Sequence, residues 1–355
     1  MALERQVTFW FAALVVFVAL LWLLSNVLLP FVAGMALAYL LDPIALRAER
    51  LGINRAVSAL IVVTLVIVAL VVVVMTAAPV VSEQFSAFMD HLPGYLTKLQ
   101  SLVSDPSRPW LAKTFGGKMS DPGKSVGSLV TQGSGYIAGF LASLWSGGRA
   151  VFSVLSLLII TPVVAFYLLL DWDRVIVTVD GWIPLQHRDT VRGLARDIDG
   201  AIAGFVRGQA VICLILAVFY AVGLTLAGLN FGFLIGLLTG LLSFIPFVGA
   251  LTGFLVAAIV AVAQFWPDWT SIAMVVGVFL VGQVLEGYVL SPKLVGAKVG
   301  LHPVWMMFAL IAFGYLFGFV GLLIAIPLAA TIGVLLRFAL RKYLESPIYT
   351  GQGPR

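Results

Sequence analysis

The chain has 355 residues, 61% of them hydrophobic and only 10% charged, with a formal net charge of +5. A soluble domain carries roughly a quarter charged residues, so this composition cannot cover a water-facing surface and points to lipid as the solvent. The single cysteine, Cys213, excludes an intrachain disulfide and a thiolate zinc site, and the three histidines are too far apart to share a metal. The modest positive charge suits cytoplasmic loops and gives no reason to expect nucleic acid as a partner.

The first apolar run, Val7–Leu29, follows Arg5 and outlasts a signal-peptide core, so an uncleaved membrane helix is expected there. Phe31–Leu46 is a second, shorter span that Asp42-Pro43 should end, and Val57–Ala78 is a third. Arg47, Arg50 and Arg55 cluster after the second span, which places that loop, and the amino terminus with it, in the cytoplasm. Pro79 to Arg149 then becomes a non-cytoplasmic segment. Within it Val81, Phe85, Phe88 and Leu92 recur at helical spacing, with Pro93-Gly94 as the expected stop. Residues Ser104 to Gly135, rich in Ser, Gly, Pro and Asp, read as an irregular loop.

A fourth span, Val151–Leu170, returns to the cytoplasm at Asp171-Trp172-Asp173-Arg174. From His187 to Arg207 a second amphipathic helix carries Val191, Leu194, Ile198, Ile202 and Phe205 on one stripe, with Arg188, Arg192 and Arg196 four apart. Gln209–Leu229 is a fifth span. Glycines at 228, 232, 236 and 240 then form a smooth face for a close-packed neighbour. Two long apolar stretches follow, interrupted at Ser243-Phe244-Ile245-Pro246-Phe247-Val248-Gly249 and at Gly314, Gly318 and Gly321. Each is either one long tilted helix or a re-entrant hairpin. The hairpin reading keeps Lys293, Lys298, Arg337, Arg341 and Lys342 cytoplasmic, and paired interrupted segments are a feature of secondary transporters. We therefore expect an all-α fold, a polytopic membrane helical bundle of about eight hydrophobic helices with two re-entrant hairpins. Its parts are 1–78, 79–150, 151–207, 208–345 and a tail, 346–355, with both termini cytoplasmic.

The most informative polar residue is Glu286, inside the apolar run Thr270–Leu290, with Gln283 one turn before it. A carboxylate at membrane depth must be neutralised, paired or placed in a wet cavity. It can serve a proton, a cation or a polar solute, or it can form a structural ion pair with Lys293 or Arg207. Helix breaks at Ser243, Pro246 and Gly249, and at Gly318 and Gly321, free backbone groups that can line a site. Gln209, at the start of the fifth span, can face the bundle interior. Pro292, Lys293 and His302 lie beside further breaks and are secondary candidates; Arg207 is expected to reach the interface, and Asp42 and Asp171 to mark span ends. There is no phosphate loop G-x-x-x-x-G-K-[ST], no G-x-S-x-G and no H-E-x-x-H, so neither enzymatic catalysis, a cofactor nor a metal is expected.

In order along the chain, Phe166-Tyr167-Leu168-Leu169-Leu170-Asp171, Phe205-Val206-Arg207-Gly208-Gln209, Phe244-Ile245-Pro246-Phe247-Val248-Gly249, Glu286, Ser291-Pro292-Lys293, Leu301-His302-Pro303, Gly318-Phe319-Val320-Gly321 and Pro327 resemble the autoinducer-2 exporter family of bacterial permeases. The resemblance is least over Pro79–Arg149. It implies a multi-pass, homo-oligomeric transporter of the bacterial inner membrane. The solute would be small and polar, such as autoinducer-2, or a sodium or lithium ion exchanged for a proton.

Overall fold

The computed structural model describes residues 23–103, 148–296 and 300–350, with isolated helical positions before 23. The first expected span and the expected loop Ser104 to Gly135 lie largely or wholly outside the described residues. Those residues form helices and turns with no strand. We number the helices α1 (Ser25–Arg50), α2 (Arg55–Val103), α3 (Gly148–Gly181), α4 (Arg188–Leu226), α5 (Gly232–Leu242), α6 (Val248–Phe265), α7 (Trp269–Val284), α8 (Pro303–Leu344) and α9 (Pro347–Thr350). Six helical stretches are long and apolar enough to cross a membrane. An all-helical polytopic membrane fold is therefore what the sequence encodes.

The chain divides into two compact units. Unit 1 comprises Met1–Val68, Ser156–Ala210 and Leu290–Arg355; unit 2 comprises Ala69–Leu155 and Val211–Val289.

Unit 1 is held by small residues that bring helices close. Ala38, Leu41 and Ala45 of α1 pack with Ala59, Val62 and Val63 of α2 and with Ala165 and Leu169 of α3 in one buried cluster. A Cβ on Gly34 would collide with Val164 and the Thr161 carbonyl, so only glycine permits this α1–α3 approach. Asp42-Pro43 does not end α1, which continues to Arg50. The Thr161 hydroxyl of α3 donates to the Pro30 carbonyl of α1 at 3.2 Å, a polar link between the two helices at the same close approach. Arg47 and Arg50 occupy the last turn of α1, where cations complement the helix dipole. Pro93-Gly94 likewise fails to stop α2, a 49-residue helix of about 74 Å at 1.5 Å per residue. That exceeds the bilayer more than twofold, so only part of α2, Arg55–Ala77, reads as a span.

The expected amphipathic helix and fifth span are one unbroken helix, α4, of 39 residues. Gly208 at their junction does not break it. A Cβ there would meet the Leu294 carbonyl and Val295, so its missing side chain serves a close helix approach instead.

Unit 2 builds the expected glycine face. Gly232, Gly236 and Gly240 of α5 abut the α4 backbone at Leu224–Thr225, Tyr220–Ala221 and Ala217. Gly228 is not part of that face. It sits in the turn at φ +71°, in the left-handed region that favours glycine. Gln264 ties the turn down, accepting from the Asn230 amide at 2.8 Å and donating to the Gly228 carbonyl at 2.8 Å.

Candidate functional site

Both interrupted stretches fold back as helical hairpins. In unit 2, α5 ends at Leu242 and α6 begins at Val248. Gly249 packs on the backbone of Leu242 and Ser243, and Gly253 on Thr239, so the two helices run side by side. Phe247 turns the corner at φ +68°, a left-handed conformation that costs a residue with a side chain about 1–3 kcal/mol and must be held by its surroundings. In unit 1 the reversal is at Gly318, φ +60° and ψ −137°, within α8. A Cβ on Gly321 would strike the Phe313 carbonyl, and one on Gly314 would meet Leu322. In a straight helix Phe313 and Gly321 would stand about 12 Å apart along the axis. The chain therefore doubles back, and the single-helix alternative is excluded for both stretches.

Glu286 lies where α7 changes character. After Val284 the helix widens into a π-helical turn, Leu285–Leu290, and again over Pro292–Gly296. Such widening loosens regular backbone bonding and recurs at functional sites. The Gln283 amide donates to Glu286 Oε2 at 3.3 Å. No basic side chain forms an ion pair with Glu286 among the described residues. Arg207, considered as a partner for this acid, is engaged within unit 1. Its Nε donates to the Tyr39 carbonyl at 2.8 Å and its terminal nitrogen lies 3.4 Å from Asp42.

Beside Gln283 is a cavity of about 380 Å³ between α6 and α7, walled by Phe247, Phe254 and Phe279 and by aliphatic side chains. Phe279 is fixed from behind by Tyr220, stacked at 4.9 Å, and from the side by Phe254 at 5.4 Å. Tyr220 in turn fills the space above Gly282, where any Cβ would hit its ring. The structure thus brings the corner residue Phe247 together with Gln283 on one cavity wall.

The remaining candidates fall in different places. Ser243 is buried in unit 2, its hydroxyl donating to the Thr239 carbonyl at 2.8 Å, and Pro246 and Gly249 shape the corner without lining the cavity. Gln209 is buried in unit 1. Gly318, Gly321, Pro292, Lys293 and His302 are also unit 1 residues. His302 caps α8, its Nδ1 accepting from the Val304 amide at 3.3 Å, with Pro303 as the first helical residue.

Sequence reasoning missed a network in unit 1. Asp42, read as a span end, is within 3.4 Å of both Arg55 and Arg207. Arg55 also donates to Glu49 at 3.0 Å and to the Leu169 carbonyl at 2.8 Å, while Tyr39 donates its hydroxyl to Asp199 at 2.9 Å. These partners are up to 168 positions apart in the chain, so no local spacing could reveal them.

Comparison with known proteins agrees with this architecture. The description of the AI-2E family transporter matches residues 11–341. The chain is 26% identical over 332 residues to the candidate transport protein YrrI of Bacillus subtilis, covering 91% of this chain and 90% of that protein. It is 27% identical over 328 residues to the candidate permease PerM of Escherichia coli strain K12, covering 90% of each. A profile match over nearly the whole length, on a chain of apolar helices that can cross a membrane several times, settles the family: this is a multi-pass membrane protein belonging to the AI-2E transporter family.

Proposed function

We propose that this chain is a secondary transporter of the bacterial inner membrane that carries a small polar solute, such as an autoinducer-2-like signal, through a site at Glu286. The observation that supports this most is Glu286 itself: an acid in a π-helical turn of an apolar helix, held by Gln283 and free of any described basic partner. An unpaired carboxylate at membrane depth is costly, and a cargo or a proton is what can offset that cost. The cavity beside Gln283 supplies space, and the corner at Ser243, Pro246 and Gly249 belongs to the same unit. The unit 1 hairpin at Gly318 and Gly321 fits a second re-entrant segment, as transporters with paired interrupted helices use. The arginines in the last turn of α1 support cytoplasmic termini, and the family relationship supports a homo-oligomer.

The same acid favours a second reading, exchange of sodium or lithium for a proton, because a lone carboxylate can carry either. Cells lacking the protein should retain the organic solute, with efflux restored by the wild type and not by Glu286→Ala. If instead everted vesicles show a sodium- or lithium-dependent collapse of a pH gradient and no solute flux, the antiport reading replaces the first.

A further inference from the structure

Unit 1 contains a partly polar cavity of about 190 Å³, lined by none of the residues proposed for transport. Tyr39 and Asp42 of α1, Trp172 of α3, and Asp199 and Arg207 of α4 form its polar and aromatic wall. Its charges do not balance. Arg55 and Arg207 pair with Asp42 and Glu49, and Asp199 on the cavity wall adds a further carboxylate, so one negative charge is left over. Asp42 is shared between the two guanidinium groups and Glu49 is paired with Arg55. The surplus therefore rests on Asp199, whose carboxylate receives the Tyr39 hydroxyl and no ion pair among the described residues.

Two aromatic rings line the same cavity as that carboxylate. Tyr39 and Trp172 meet edge to face with centroids 6.4 Å apart and planes at 67°. A negative charge beside aromatic faces attracts an organic cation both by Coulomb attraction and through the ring quadrupoles. An anion would meet two carboxylates, and Arg207 already has Asp42 and the Tyr39 carbonyl. A bare metal ion would require a shell of oxygens, as calcium and magnesium do, whereas much of the wall is Met35, Ala38, Leu168, Leu169 and Ala203. The volume falls below the roughly 300 Å³ at which sites for drug-sized ligands begin, which limits the guest to a few heavy atoms.

We propose that this cavity binds a small organic cation bearing a primary ammonium group, with Asp199 as counter-ion and Tyr39 and Trp172 as its aromatic walls. The site lies in a different unit from Glu286 and stands or falls without it.

Ethylammonium chloride titrated calorimetrically into the purified full chain in detergent tests this. Saturable binding is expected, weakened at least about tenfold by Asp199→Asn, equivalent to about 1.4 kcal/mol, and unchanged by Glu286→Gln. Tyr39→Phe keeps the ring and frees the carboxylate, so it should bind at least as tightly as the wild type. Size-exclusion profiles establish that each variant is folded before it is titrated. Absence of saturation in the wild type, equal affinity in folded Asp199→Asn, displacement by sodium chloride at equal concentration, or Tyr39→Phe falling to the Asp199→Asn level would each overturn the assignment.

Discussion

Gln283 donates its side-chain amide to Glu286 across 3.3 Å, and the two residues sit one turn apart where α7 passes from α- to π-helical bonding. The pair joins a cavity wall to an acid: Gln283 lines the space beside Phe279, and Glu286 is the next polar group along the same helix. Replacing Gln283 by Leu should keep the helix, since Leu is a good helix former, but remove the acid's one described side-chain donor. Transport should fall while the amount of inserted protein stays level, as measured by flux in vesicles normalised to immunoblot.

The glycine faces make a stability prediction. Gly236 and Gly240 touch the backbone of α4, leaving no room for a methyl group, whereas Gly277 of α7 faces open space. Gly240→Ala should lower the melting temperature in detergent, because overpacking of this kind costs about 1–3 kcal/mol. Gly277→Ala should be neutral or stabilising, since alanine exceeds glycine in a helix by about 1 kcal/mol. Parallel thermal unfolding of the two variants checks the contrast.

Gly318 should tolerate nothing else. Its φ of +60° with ψ of −137° lies in a region that side chains exclude. Gly318→Ala should open the α8 hairpin or reduce the yield of folded protein. Protease accessibility near Gly318, compared with that of wild type, reports the change.

A latch outside the spans is pH-sensitive in a defined direction. Arg192 donates two bonds to Asp180, at 2.7 and 2.8 Å, and these hold the Asp180 carboxyl below its ordinary value. A depressed folded value means the contribution is complete above the unfolded carboxylate range, near 3.9, and is lost as pH falls through the lower folded value. The melting-temperature gap between wild type and Asp180→Asn should therefore be present at neutral pH and close only below about pH 4. Because Arg192 is exposed and Asp180 partly so, high salt should shrink the gap as well.

Much of this was legible in the sequence. Apolar run length located the membrane helices, four-residue glycine spacing located the α4–α5 contact, and the isolated acid stood out against its apolar run. What could not be read locally was decided by distant partners. Pro43 and Pro93 looked like stops, yet both lie inside long helices. The amphipathic helix and the fifth span read as separate elements meeting at Gly208, but they are one helix, and Gly208 serves an approach to Leu294. The link from Arg207 to Tyr39 depends on how α1 and α4 are brought together. The candidate residues also separate by unit: Ser243, Pro246, Gly249, Gln283 and Glu286 belong to one, and Gln209, Gly318 and Gly321 to the other.

The hairpin reading fixes the side on which Lys293 is found. With Cys213 replaced, a cysteine at position 293 should react with impermeant maleimide from the cytoplasmic face, in everted but not right-side-out vesicles. Labelling from the outside would contradict the cytoplasmic placement of this loop.

The most direct measurement is uptake of autoinducer-2 into everted vesicles carrying either wild type or Glu286→Gln at equal density. The change keeps size and removes the charge. Wild-type vesicles should accumulate the solute while Glu286→Gln vesicles remain at the background of empty membranes. Equal accumulation by both would contradict a transport site built on this acid.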